Sequence, residues 1–379
     1  LPRSVYIHIP FCTNKCFYCD FNSYVTKDSE LIWNYLYALE EEMKQTVRRV
    51  PAQQVETIFV GGGTPTFLDH EQMRYFLQSV QRVFPDQAPS MEFSMEANPG
   101  TTDYEKLVIM RQGGINRLSY GAQSFNDALL KEIGRMHDSG QVLQSIAAAK
   151  RAGFDNISID LIFGLPKQTL TTFHETLDIA FSLDLQHFSA YSLQVEENTL
   201  FHVLYEKNQL ALPPEDDEVE MYEVVRHRMA EEGYTQYEIS NFSKEGFQSR
   251  HNKTYWRNCE YYGIGAGAHG YVHGERHENA GPVDHYIQLV KEKGLPRIEQ
   301  HFVAPSEAME DFMIMGLRLL EGVSKNVFYE RYGIELATQF GPVLEELKNK
   351  GLLEEQGDRI RLTKRGIPFG NEVFARFLE

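Results

Sequence analysis

Three cysteines stand close together near the start of this 379-residue chain: Cys12, Cys16 and Cys19, spaced Cys-x3-Cys-x2-Cys. Thiolates are soft ligands that select zinc, copper(I) or iron–sulfur clusters. Three of them at this spacing can hold three corners of a cubane [4Fe-4S] cluster and leave the fourth iron open to a small molecule. Two other readings stand beside this one on spacing alone. Free cysteines are often plain buried apolar residues. The trio can also form part of a zinc site, although structural zinc takes four ligands and Cys-x2-Cys pairs usually come twice. A disulfide framework fits poorly, because the trio is odd in number and the N-terminal residues carry no charged-then-apolar secretion pattern.

Other groups able to do chemistry lie downstream. Gly61-Gly62-Gly63-Thr64-Pro65 follows an apolar run. Glycines there let a backbone approach a ligand and present N–H donors; a tight turn is the plainer reading. Glu96 closes another apolar run, where a carboxylate needs a partner, either a ligand or a nearby arginine. Gln123 and then Arg135, on the next helix, follow a fourth run. Asp160 interrupts an apolar stretch, an unusual place for an acid. His251 opens the word His251-Asn252-Lys253-Thr254-Tyr255-Trp256. Its imidazole suits iron, but a lone histidine is more often a surface or core residue. Cys259 reads as a buried thiol.

The elements that must position these groups alternate. Apolar runs at 5–9, 55–60, 91–96, 117–120, 156–162 and 187–193 read as strands. Between them Leu31, Tyr35, Leu39 and Met43 share one helical face, as do Leu170, Phe173, Leu177 and Phe181. Six strand–helix units imply an α/β fold with a parallel sheet and right-handed crossovers, a partial (β/α)6 TIM-like barrel. Functional residues then belong at the C-terminal ends of strands, and the cysteines directly follow the first. The length suits a barrel of about 200–250 residues plus a smaller domain. We expect the barrel over 1–200 and a connecting region over 201–300. The latter starts with a helix after Pro213-Pro214 and continues through an aperiodic stretch, 234–281, of the long irregular kind that is often functional. An α+β, winged-helix-like tail over 301–379 follows, with a helix at 335–350 and a hairpin turning at Gly357-Asp358. The net charge of −17 argues against nucleic-acid binding. No apolar run approaches the roughly 18 residues of a membrane span.

Together these words resemble the radical S-adenosylmethionine (SAM) superfamily. The flanks Tyr6-Ile7-His8-Ile9-Pro10-Phe11-Cys12 and Cys19-Asp20-Phe21 are similar to the branch that holds anaerobic coproporphyrinogen III oxidase and the HemW haem chaperones, over nearly the whole chain. The resemblance implies a [4Fe-4S] cluster on Cys12, Cys16 and Cys19, with SAM chelated to the open iron and cleaved by one electron. It implies SAM contacts at Tyr6, Gly62, Gly63, Thr64, Glu96, Gln123, Arg135 and Asp160, with the loop 263–268 on the adenine side. The tail is expected to cover the barrel mouth. The oxidase carries a further cysteine two residues after the third cluster ligand; Phe21 stands there in this chain. The HNxxYW word resembles a HemW hallmark. Both features imply a chaperone that carries haem as cargo to acceptor proteins such as membrane respiratory enzymes. The alternative is the oxidase, which converts propionates to vinyls. The resemblance further implies His251 as a ligand to haem iron, Tyr255 and Trp256 against the macrocycle, an electron donor, a homodimer, and a cytoplasmic location reaching the inner face of the membrane.

Overall fold

The structure, a computed structural model, describes residues 1–378. Parallel strands covered on both faces are near-continuous apolar runs rather than alternating ones. That pattern produces Ser4–Ile9 (β1), Val55–Gly62 (β2), Gln87–Ala97 (β3), Arg117–Gln123 (β4), Ile157–Phe163 (β5) and His187–Ser192 (β6). They pair in chain order, each parallel to the next, with Tyr6 opposite Phe59 and Asp160 opposite Ser189. Crossover helices begin where the sequence supplies a cap. Asp28, Asp69, Asp103, Asp138 and Thr169 each accept a first-turn N–H, at the starts of Ser29–Arg49, His70–Val83, Tyr104–Gln112, Ser139–Arg151 and Leu170–Ser182. Tyr35, Leu39, Met43, Phe173 and Leu177 are buried on the sheet side of their helices.

The sheet does not stop at residue 200. Thr235–Gln236 (β7) and Asn241–Ser243 (β8) extend one edge in antiparallel fashion, and Tyr262–Ile264 (β9) joins β1 in parallel at the other. Among the described residues the sheet has nine strands, in the order β9-β1-β2-β3-β4-β5-β6-β8-β7. The stretch that lacks sequence periodicity thus supplies both edges. Part of the glycine-rich segment 263–268 is therefore strand. A Cβ on Gly263 would stand 1.8 Å from the His269 carbonyl oxygen, so only glycine fits this close approach.

One hydrophobic core runs from Val5 to Val290 and a second from Phe312 to Phe377, with Tyr222 packed against both. The second belongs to the winged-helix-like tail. Helices Pro305–Gly316, Lys325–Tyr332 and Leu336–Asn349 pack with a three-stranded antiparallel sheet of Val323–Ser324, Arg359–Leu362 and Leu353–Gln356. No helix among the described residues is long and apolar enough to cross a membrane.

Candidate cluster and cofactor site

The cysteine stretch leaves the end of β1 and is pinned by backbone to the glycine run after β2. Gly63 N–H donates to the Ile9 carbonyl at 2.9 Å and Thr64 N–H to that of Phe11 at 2.7 Å. Gly62 N–H donates to Glu96 Oε2 at 3.2 Å. These N–H groups are therefore taken by protein and do not form the open donor cradle expected of them. What the run supplies is room. Gly62 has a φ of 111°, and a Cβ there would lie 2.5 Å from the His8 ring.

One cavity is lined by Cys12, Cys16, Cys19, Gly62, Gly63, Thr64, Glu96, Gln123, Arg135 and Asp160. A closed polar path links the first two cysteines across it. Cys12 Sγ lies 3.5 Å from Thr64 Oγ1, which accepts from Asn98 Nδ2 at 2.7 Å. Asn98 Oδ1 accepts from Arg135 Nη2 at 2.7 Å, and Arg135 Nη1 donates to Cys16 Sγ at 3.4 Å. Arg135 sits in the loop between Asp127–Glu132 and Ser139–Arg151, not on a helix as expected. Asn98 is the residue that sequence reasoning misses. Its signal is an amide just past a strand end and before Pro99.

Burial dominates the electrostatics. It pushes the Glu96 carboxyl up to about 8, with the Asp160 charge adding to the rise. Asp160 is itself raised, chiefly by burial, although the Ser119 hydroxyl donates to it at 3.2 Å. Two acids in one dry cavity do not both ionise readily. Burial raises the Cys12 thiol and pushes Cys19 up to about 11. Such thiols hold their protons at neutral pH until a metal displaces them. Gln123 closes β4 with a φ of 64°, a left-handed backbone of the sort that gathers at functional sites. Tyr6 does not line this cavity. It lines the neighbouring one with His8, Tyr255 and Tyr261, and Phe21, 60% exposed, borders both.

Residues 6–180 match the model of the Radical SAM superfamily, and residues 303–369 that of the HemN C-terminal domain. The heme chaperone HemW of Bacillus subtilis is 48% identical over 376 residues, 99% of each chain. This chain belongs to the HemW family. The heme chaperone HemW of Escherichia coli K12 is 34% identical over 384 residues, covering 100% of this chain and 98% of its own. The solved coproporphyrinogen III oxidase HemN of Escherichia coli, a radical SAM enzyme, superposes with a TM-score of 0.87 over 99% of this chain and 90% of that one. At 23% identity that likeness establishes the fold.

The radical SAM domain of this HemW-family chain implies SAM and a [4Fe-4S] cluster. The donors fit them. Three free thiols open on one cavity, and Glu96 accepts from Gly62 N–H there with no salt-bridge cation among the described residues. Among the described residues no three His, Cys, Asp or Glu side chains converge on a single ion. A cubane takes one thiolate per iron, so its three thiolates do not need to converge on a single ion.

The HNxxYW word of this HemW-family member forms the short helix Arg250–Trp256, capped by Ser249. Glu92 accepts the N–H groups of Arg250 and His251 and ties the helix to β3. His251 is fully buried. Its Nδ1 is hydrogen-bonded to Thr57 Oγ1 and its Nε2 to the Tyr255 hydroxyl, each at 2.8 Å, and its ring stacks on Phe59. Burial pushes it down to about 3, so it is neutral. With both nitrogens engaged, His251 locks helix to sheet and has no lone pair for haem iron. The expected axial role does not fit this geometry. Tyr255 lines the Tyr6 cavity, while Trp256 stacks with the Arg318 guanidinium at 4.4 Å. Cys259 is partly exposed rather than buried and lines a separate cavity.

Proposed function

We propose that this chain is a haem chaperone, which binds haem and a SAM-ligated [4Fe-4S] cluster and passes haem to acceptor proteins. Full-length likeness to heme chaperones, at 48% identity in one case, carries the reading. Phe21 supports it against the oxidase, since a phenyl ring offers neither a thiolate nor a proton where that enzyme has its extra cysteine. Cys12, Cys16 and Cys19 hold the cluster, which when bound supplies an electron to SAM. Glu96 accepts a hydrogen bond from the methionyl amino group, and Gln123, Asp160 and Arg135 complete the polar wall, with Gly62, Gly63 and Thr64 at its edge. Tyr6 approaches from the adjoining cavity. Membrane respiratory enzymes are the acceptors we infer, served from the cytoplasmic face by a homodimer with a separate electron donor.

The test runs on one anaerobic, cluster-reconstituted preparation. Ferric haem should produce a bound Soret band and move on to an apo-acceptor. SAM with coproporphyrinogen III should give no vinyl product. Vinyl product at a catalytic rate, with no stable haem complex, would replace the chaperone reading by the oxidase.

The acid at the site gives a second expectation. Without ligand Glu96 titrates at about 8 and holds its proton at neutral pH. In cluster-free protein the SAM amino group stays an ammonium, and pairing with it requires Glu96 to lose that proton. SAM affinity should therefore climb with pH between about 6 and 8, approaching tenfold per unit, until the ligand's own amino group begins to deprotonate near 7.7–8.0. Calorimetry across this range reads the slope directly. Glu96→Gln should flatten it, and an equal slope in the variant would remove Glu96 from the SAM site.

A further inference from the structure

We infer that the floor of the barrel binds a small monovalent anion, chloride or one of its size, on the guanidinium of Arg117. Arg117 opens β4 and faces the barrel interior, on the same side of the strand as Ser119, which lines the cluster cavity. It is 2% exposed. Its Nε is buried without a hydrogen-bond partner, and among the described residues its side chain makes no hydrogen bond or ion pair. Arginine cannot relieve burial by shedding its proton, as lysine or histidine can. A buried, unpaired guanidinium is therefore a standing cost that a counter-ion removes. The acids that share the lumen do not serve. Glu92 is engaged by the N–H groups of Arg250 and His251. Asp160 is held by the Ser119 hydroxyl, and burial keeps both it and Glu96 above the usual carboxylate range. The imidazoles of the floor are taken as well, His187 by Ser158 and the Tyr237 hydroxyl, His251 by Thr57 and Tyr255.

The same floor lacks the side-chain volume that normally closes a barrel. Such interiors are filled by layers of bulky branched residues. Here Ser94, Ser119, Ser158, Ser189 and Ser243 stand on neighbouring strands, with Ser94 directly beside Arg117 in register and Ser243 beside His187. Ser119 and Ser189 serve Asp160, and Ser158 serves His187. Ser94 and Ser243 are fully buried, and neither hydroxyl has a partner. Burial, with the Arg117 charge behind it, holds His187 well below its ordinary value, so the ring beside Ser243 is neutral and within the field of the guanidinium. Idle hydroxyls and a fixed guanidinium, set among short side chains and neutral rings, suit a single-atom anion. A larger ligand does not reach Arg117, which lines neither the cluster cavity nor the Tyr6 cavity. The seat is distinct from that of SAM, since Ser94 lies two residues below Glu96 on β3.

Crystals of the full chain soaked in sodium bromide should show an anomalous peak within hydrogen-bond reach of the Arg117 guanidinium. In solution, thermal unfolding at constant ionic strength should move upwards as sodium chloride replaces sodium gluconate, whose anion is too large for the seat. The midpoint should rise by about 2 °C for each tenfold increase in chloride above its dissociation constant. Arg117→Met keeps the length of the side chain and removes the charge, and should lose both the peak and the chloride-dependent rise. Ser94→Val, which fills the seat and leaves Arg117 in place, should lose them too. Ordered water alone beside Arg117 in the bromide-soaked wild type, or a chloride-dependent rise that persists in Arg117→Met, overturns the site. The wild-type crystal decides the matter even where neither variant folds. No arm contains haem or SAM, so the outcome is independent of the chaperone reading.

Discussion

Cys16→Ala is expected to reduce cluster content from about four irons per chain to background, not to a fraction of it. Two thiolates leave half of a cubane's irons without protein ligands, and the cavity holds no spare donor of the right kind. The acids that share it, Glu96 and Asp160, are raised by burial and are poor anionic substitutes. Cys16 is also the thiol that Arg135 contacts, at 3.4 Å, so its loss opens the polar path running back through Asn98 and Thr64 to Cys12. Cys259→Ala is the matched control, since that thiol lines a different cavity. Iron and sulfide analysis with visible absorption after anaerobic reconstitution makes the measurement. Full iron content in Cys16→Ala would sink the three-thiolate assignment.

The contrast between the two ends of the chain shows what sequence can carry. The six long strands were readable because each is an apolar run of adequate length followed by a capped helix. Topology then placed Cys12, Gly62, Glu96, Gln123 and Asp160 at one mouth without any knowledge of contacts. The short strands β7, β8 and β9 were not readable. Two or three residues hold no period, and what makes Tyr262–Ile264 a strand is the open edge of β1 beside it. The same limit applies to side chains. His251 looks in sequence like an available imidazole. Only the positions of Thr57 and Tyr255, the former some two hundred residues away, show that both nitrogens are already occupied. Arg117 has the opposite history. Nothing local marks it, and its lack of a partner shows only once the strands on either side of it have paired.

Glu42 should make this protein lose stability as pH rises through neutrality, by an amount large enough to isolate. It lies on the helix Ser29–Arg49, 2% exposed, and accepts from Gly265 N–H at 2.8 Å, from Asn279 Nδ2 at 2.7 Å and from the Tyr286 hydroxyl. These bonds favour the anion, yet burial outweighs them and pushes the carboxyl up to about 7. A folded value above the unfolded one of about 4.5 means the group's stabilising contribution is complete below 4.5 and is lost as pH rises through 7. The shift corresponds to about 3 kcal/mol in all, of which roughly 2–3 kcal/mol falls between pH 5 and pH 8. Glu96 is raised too and contributes with the same sign, so the wild-type curve alone does not assign the effect. The difference between wild type and Glu42→Gln does, because glutamine does not titrate. Urea unfolding of both proteins at several pH values should show wild type losing those 2–3 kcal/mol relative to the variant on going from pH 5 to pH 8. A difference that stays flat would mean Glu42 is not the buried acid described. The loss should also reach the site. Glu42 holds Gly265 in the segment that runs to Gly267 on the wall of the Tyr6 cavity, and Asn22, just beyond the cysteines, donates to Ala266 and Gly281 in the same region. The desolvation cost of the ionised carboxylate therefore falls beneath the wall against which the cysteine loop is tied, even as its own hydrogen bonds strengthen.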